Sequence, residues 1–181
     1  LSDQDLDKYP RHFSGGQRQM INIGRAIILD PELVILDEAT SALDSSVQAD
    51  ILNLFDDLKE EYGLTYVVIS HDLAMVRHMC DTIGVMYLGK FVEQGANDNI
   101  FANPLHPYTQ SLMAAIPSIE TGIPGLREGR ILRGEVPSPI NPPSGCSFCS
   151  RCSMKTELCE KEDPPLRKVA EHHYVACHHV E

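Results

Sequence analysis

Asp37 and Glu38 stand side by side at the end of the apolar run Leu33–Leu36. A continuous run of that length reads as a strand of a parallel sheet covered on both faces. The carboxyl edge of such a sheet is where α/β folds bind ligands. Two acids there can divide a hydrolysis between them, one holding a divalent cation and the other orienting or deprotonating water. The segment SALD at residues 41–44 follows at once, which a plain solvated turn does not explain. Upstream, residues 12–19 read HFSGGQRQ. Ser14 and Gln17 have the spacing of a capping box. Gly15 and Gly16 leave backbone N–H groups open at that helix start, an anion site suited to a terminal phosphate. His71 follows the strand-like run Val67–Ser70 and so reaches the same sheet edge, and Asp72 predicts the cap of the next helix.

These residues need elements to hold them. Met20, Ile21, Gly24, Ile27 and Ile28 recur at helical spacing after Ser14, and Asp30 with Pro31 stops that helix. A second helix starts near Asp44 or Ser45, with the stripe Val47, Ile51, Leu54, Phe55, Leu58 and Tyr62 and a stop at Gly63. Thr65–Ile69 predicts another buried strand and Asp72–Cys80 another helix. Ile83–Leu88 and Lys90–Glu93 predict a strand pair turning at Gly89. The strand–helix rhythm predicts an α/β sheet. Gly84 to Lys90 matches most of a phosphate-loop pattern. However, Phe91 stands where a hydroxyl would be needed, the intervening residues are strand-like, and no helix follows, so this stretch predicts a β-turn.

The 181 residues carry a net charge of -11, which argues against a nucleic-acid partner. No apolar run is long enough to span a bilayer. The 43% hydrophobic content is that of a globular chain. Residues 117–145 hold six of the twelve prolines and five glycines, the composition of an irregular arm. Residues 146–181 hold five of the six cysteines. Three segments are therefore expected: 1–116, 117–145 and 146–181. The sequence begins at Leu1 and shows no phosphate loop ahead of Ser14, so it is expected to be an excerpt of a longer protein.

The ordered motifs resemble the signature, Walker B strand and D-loop of ABC-type ATPases. YPRHFSGGQRQ, ISHDLAMVRHMCD, VMYLGKFVEQG, NPLHPYTQSLMAAIPS and the arm LRGEVPSPINPPSGC narrow the likeness to the ATP-binding subunits of dipeptide and oligopeptide ABC transporters, in particular their F-type subunit. The resemblance implies a partial P-loop NTPase fold with a small cysteine-rich appendage. It implies ATP and Mg²⁺, with Asp37 at the magnesium, Glu38 and His71 catalytic, and Ser14, Gly15, Gly16, Gln17 and Asp44 at nucleotide. It also implies a head-to-tail dimer with a D-type-like ATPase, membrane permease subunits, an external solute-binding protein acting indirectly, and a peripheral place on the cytoplasmic face of the membrane. Relatives carrying nickel or glutathione share these motifs, and a non-transport ABC ATPase is the remaining alternative. Without its own phosphate loop, the 181-residue chain alone is expected not to hydrolyse ATP. Its central strands are expected to lack sheet partners and to expose apolar surface.

Cys146, Cys149 and Cys152 form C-x₂-C-x₂-C, a spacing also seen at iron–sulfur clusters. The resemblance implies a [4Fe–4S] cluster on Cys146, Cys152, Cys159 and Cys177, with Cys149 an extra thiol. Zinc, with His178 or His179 available to replace a thiolate, and unligated cysteines stand as alternatives. Cys80 is expected to be a small buried hydrophobe.

Overall fold

Ser14 turns the chain into its first long helix. Its hydroxyl accepts the Gln17 N–H at 3.2 Å and the Gln17 side chain accepts the Ser14 N–H at 3.0 Å, closing the capping box. Helix α1 (Gly15–Ile27) ends before Asp30, which adopts a left-handed backbone at φ 48°. The computed structural model describes residues 2–116, 137–138, 140 and 143–180. It divides into two units, Leu1–Met79 and Cys80–Glu181.

In the first unit, strands β1 (Leu33–Asp37) and β2 (Thr65–Ile69) pair in parallel, with Val34 opposite Tyr66 and Asp37 opposite Ile69. Helix α2 (Ser45–Tyr62) connects them. Asp44 caps its start through the Val47 N–H at 3.0 Å, and Gly63, at φ 65°, supplies the left-handed stop. Its inward stripe Ile51, Phe55 and Leu58 is buried. Phe55 meets Tyr66 of β2 edge-on at 5.7 Å, and the Tyr66 hydroxyl donates to the Phe55 carbonyl. Helix α3 (Leu73–Met79) follows β2, and Asp72 accepts the N–H groups of Ala74 and Met75 at its start.

Leu33–Leu36 taken alone predicts a strand covered on both faces, and that is corrected here, whereas the expectation that the central strands of this chain lack sheet partners and expose apolar surface holds for the two-stranded sheet. Val34 and Leu36 are buried, but Leu33, Ile35, Val67 and Ile69 are 45–62% exposed. The register puts these four on one face, opposite the one α2 covers. The stripe expected of α1 is corrected too, since its buried residues are Gly16 and Ile23, while Met20 and Ile28 are exposed. In each case the periodicity marks an apolar face, and among the described residues that face lacks a cover.

The second unit holds an antiparallel sheet in the order β3-β4-β6-β5. Strands β3 (Thr82–Tyr87) and β4 (Lys90–Ala96) form a hairpin through Leu88 and Gly89, both at positive φ, 46° and 78°. Two left-handed residues are the requirement of a tight hairpin turn. The Gly84–Lys90 stretch is thus strand and turn. A side chain at Gly84 would collide with the Phe91 ring, its Cβ falling 2.6 Å away.

Helices α4 (Asn97–Ala102) and α5 (Pro107–Ala114) follow, then α6 (Glu157–Lys161), β5 (Arg167–Ala170) and β6 (His173–Val175). Glu93 of β4 is fully buried. Its carboxylate accepts the N–H groups of Leu105 and His106 at 2.8 and 2.9 Å and faces His173 Nε2 at 2.8 Å, joining β4, β6 and the turn before α5. Phe148 packs its ring against Tyr87, His106 and Tyr108 at 5.2–5.6 Å. Strand β4 pairs with β6, so the tail shares a sheet with a segment that the sequence places in 1–116. Most of the expected arm, including residues 117–136, lies outside the described residues.

Candidate functional site

The parallel pairing of β1 and β2 delivers the candidate residues to one edge. Asp37 ends β1 opposite Ile69 at the end of β2. Glu38 comes next and takes a left-handed backbone at φ 50°. For a glutamate this costs about 1–2 kcal/mol. Three hydrogen bonds hold it there: its N–H donates to the Ile69 carbonyl, and its carbonyl accepts from both the N–H and the hydroxyl of Ser41. Backbone strain so fastened is a recurrent feature of reactive sites. The turn aims the carboxylate at His71, whose Nδ1 lies 2.9 Å from Glu38 Oε1. The hydrogen bond and charge of Glu38 raise the His71 pKa above the ordinary imidazole value. Both side chains are substantially exposed, so the pair is accessible to a ligand. Asp37 is exposed beside them. A single carboxylate supplemented by water and phosphate oxygens is the usual way proteins hold Mg²⁺.

Ser14, Gly15, Gly16 and Gln17 form the start of α1 as the sequence predicts. Ser14 and Gln17 satisfy each other, which leaves the N–H groups of Gly15 and Gly16 without a partner inside the helix. Arg18 donates to the Phe13 carbonyl at 2.8 Å and braces the turn. Gly16 has a packing reason as well, because a Cβ there would fall 2.5 Å from Val47 Cγ1 on α2. Asp44 is exposed, and its carboxyl is held below the usual range, chiefly by the Val47 N–H and then by the Ser46 hydroxyl.

One participant was not visible in the sequence. Gln48 Nε2 donates to Asp72 Oδ2 at 2.6 Å, tying α2 to the residue after His71. Burial works against the Asp72 charge, but the Gln48 amide and the N–H groups of Met75 and Ala74 outweigh it and lower its pKa. The partners lie 24 residues apart, so no local pattern announces the contact.

The tail cysteines lie near one another, Cys146 feeling Cys159, Cys149 and Cys177, and Cys149 feeling Cys159 and Cys152. Burial raises the Cys146 thiol to about 11, and the neighbouring Cys159, Cys149 and Cys177 add to that. Cys149 and Cys177 are raised as well, again chiefly by burial. Cys159 Sγ lies 3.5 Å from His179 Nε2, while Cys152 Sγ accepts the Met154 N–H. Among the described residues, no three His, Cys, Asp or Glu side chains converge as an ion-binding group. That leaves a [4Fe–4S] cluster or zinc on Cys146, Cys152, Cys159 and Cys177 without support among the described residues.

Comparison with known proteins narrows the kinship. The family model for the oligopeptide/dipeptide transporter C-terminal region matches residues 92–159, and that for ABC transporters matches residues 1–41. The chain is 50% identical to the oligopeptide transport ATP-binding protein AppF of Bacillus subtilis, over 94% of this chain and 52% of that protein. It is 51% identical to the dipeptide transport ATP-binding protein DppF of Haemophilus influenzae and 48% identical to the di/tripeptide transport ATP-binding protein DppF of Pseudomonas aeruginosa. In both cases the match covers 100% of this chain and 55% of the relative. Among solved structures, the ADP conformation of an ATP-binding cassette of an ABC transporter matches with a TM-score of 0.46 at 30% identity, over 51% of this chain and 37% of that one. That likeness is too partial to bear on the argument. The chain thus spans about half the length of the curated relatives it matches. By these matches it belongs to the oligopeptide and dipeptide transport ATP-binding proteins of the ABC type.

Proposed function

We propose that this chain carries the hydrolytic edge of an ATPase subunit that powers import of small peptides. The observation that carries the proposal is the 2.9 Å contact between Glu38 and His71 at the carboxyl ends of two parallel strands. In this reading Glu38 accepts the proton of the attacking water, and His71 steadies that carboxylate and faces the terminal phosphate. Asp37 holds Mg²⁺ through water, and the magnesium supplies charge neutralisation at the phosphates when bound. Ser14, Gly15, Gly16, Gln17 and Asp44 face the ATP held by a companion ATPase of the D type, across a head-to-tail pair. The helix start at Ser14 supports this role, since its open N–H groups and dipole favour an anion.

The relatives named above are transport ATP-binding proteins for oligopeptides and for di- and tripeptides. We extend that cargo class to this chain, together with permease subunits as its membrane partners, a solute-binding protein acting indirectly, and a peripheral place at the cytoplasmic face. No helix among the described residues is long and apolar enough to cross a membrane. The test is co-purification of the full-length ATPase with a membrane permease and stimulation of its ATP hydrolysis by di- to oligopeptides with their binding protein. Stimulation by nickel or glutathione instead would reassign the cargo. Absence of any permease partner would favour a non-transport ATPase.

A further inference from the structure

Both members of the Glu38–His71 pair are fastened to the same short segment, residues 41–44. On one side, Ser41 donates its N–H and its hydroxyl to the Glu38 carbonyl at 3.2 and 3.0 Å. On the other, Asp44 caps α2, and its carbonyl accepts the Gln48 N–H at 2.8 Å. The Gln48 side chain then reaches Asp72 at 2.6 Å. Asp72 is the chain neighbour of His71, and its carboxylate has little freedom left. Oδ1 accepts Ala74 and Met75 N–H groups at 2.9 and 3.2 Å, and its own N–H donates to the Ser70 hydroxyl at 3.0 Å. The circuit runs from Ser41 to Glu38, across to His71, through Asp72 to Gln48, and back to Asp44.

The His71 side chain is 76% exposed, so packing does little to direct it. Its aim depends on Glu38 in front and on the backbone at Asp72 behind. We propose that Gln48 is a positioning residue for His71, holding the histidine's main chain to the 41–44 segment through Asp72. The proposal rests on the reading of Glu38 and His71 as the hydrolytic pair. A shift of residues 41–44, which that reading places against a companion ATPase, would reach Glu38 through Ser41 and His71 through Gln48 together. A charge-assisted bond of this length is among the stronger kinds. Gln48 itself touches neither nucleotide nor water in this scheme, so its loss should move turnover and leave nucleotide affinity alone.

The test uses the full-length ATPase paired with its companion. Gln48→Leu, which removes the donor, and Gln48→Lys, which keeps one, are compared with the parent and with Glu38→Gln. Gln48→Leu is expected to lower kcat by about 3- to 10-fold, the worth of one hydrogen bond, with KM for ATP within about twofold. Gln48→Lys should restore kcat to within about twofold of the parent. Thermal unfolding is followed in the same preparations. Should Gln48→Leu fail to fold, Gln48→Ser, too short to reach Asp72, carries the same comparison. Parental kcat in the donor-less variant would overturn the proposal, as would a raised KM at unchanged kcat, or a Gln48→Lys variant as slow as Gln48→Leu. If Glu38→Gln itself turned over at the parental rate, the hydrolytic reading would fail first, and the positioning role with it.

Discussion

The Glu38 carboxylate and the His71 imidazole meet at 2.9 Å although 33 residues separate them in the chain. The parallel register of β1 and β2 brings them together, and the left-handed backbone at Glu38 turns the carboxylate toward the ring. The contact predicts a titration. Glu38 favours the charged imidazole, so the ionic form of the pair is complete below the ordinary histidine range and is lost as pH rises through the raised His71 value. In a histidine-resolved NMR titration the His71 midpoint should lie above about 6.5. It should move down in Glu38→Gln. Equal midpoints in parent and variant would show that the carboxylate does not govern the ring.

His106 predicts the opposite pH behaviour. It is buried, and burial lowers its pKa to about 4 from 6.5. The folded chain resists a proton that the unfolded chain accepts, so its contribution is present above about 6.5 and is lost as pH falls toward 4. The size is roughly 3 kcal/mol. Nδ1 also accepts the Tyr108 N–H at the start of α5. His106→Asn keeps a side-chain acceptor for that cap and removes the titration. Urea unfolding from pH 7 to pH 4 should show a shallower loss of stability in His106→Asn than in the parent, and matching slopes would contradict the assignment.

Gly16 sits against α2 with no room for a methyl group. Gly16→Ala would gain about 1 kcal/mol of helix propensity. The 2.5 Å approach to Val47 outweighs this, since overpacking costs about 1–3 kcal/mol. Val47 is β-branched and has few rotamers with which to retreat. A net loss of stability in denaturant unfolding is expected, whereas a stabilised variant would mean that α1 and α2 separate freely.

The face of β1 and β2 that no described residue covers predicts self-association of the isolated 181-residue chain. Leu33, Ile35, Val67 and Ile69 form an apolar patch there. Sedimentation velocity should show a mass that rises with concentration, and the double variant Ile35→Lys, Ile69→Lys should suppress it. A parent that stays monomeric across the same range would count against the patch as a sticky surface.

How far the sequence discloses this depends on how local each signal is. Ser14 with Gln17, Asp44 with Val47 and Gly63 at its helix stop are events within one turn of chain, and their residue types announce them. The hairpin at Leu88 and Gly89 is equally local. The two-sided burial expected of Leu33–Leu36 failed because an apolar run shows what a strand would prefer to bury, not what lies over it. The Gln48–Asp72 bond and the Glu93–His173 pair join residues 24 and 80 apart, and only the fold supplies those encounters. The cysteine spacing suggests ligands, while the burial that raises the Cys146 thiol comes from packing that spacing does not encode.

Hydrolysis by Glu38→Gln tests the central claim most directly. In the full-length protein, assayed with the companion proposed above, the amide keeps the shape of the side chain but cannot take a proton from water. Turnover should fall by about 10²–10⁴-fold, with Mg²⁺-ATP binding retained. Turnover at the parental rate would contradict the assignment of Glu38 as the base and, with it, the functional meaning given to its contact with His71.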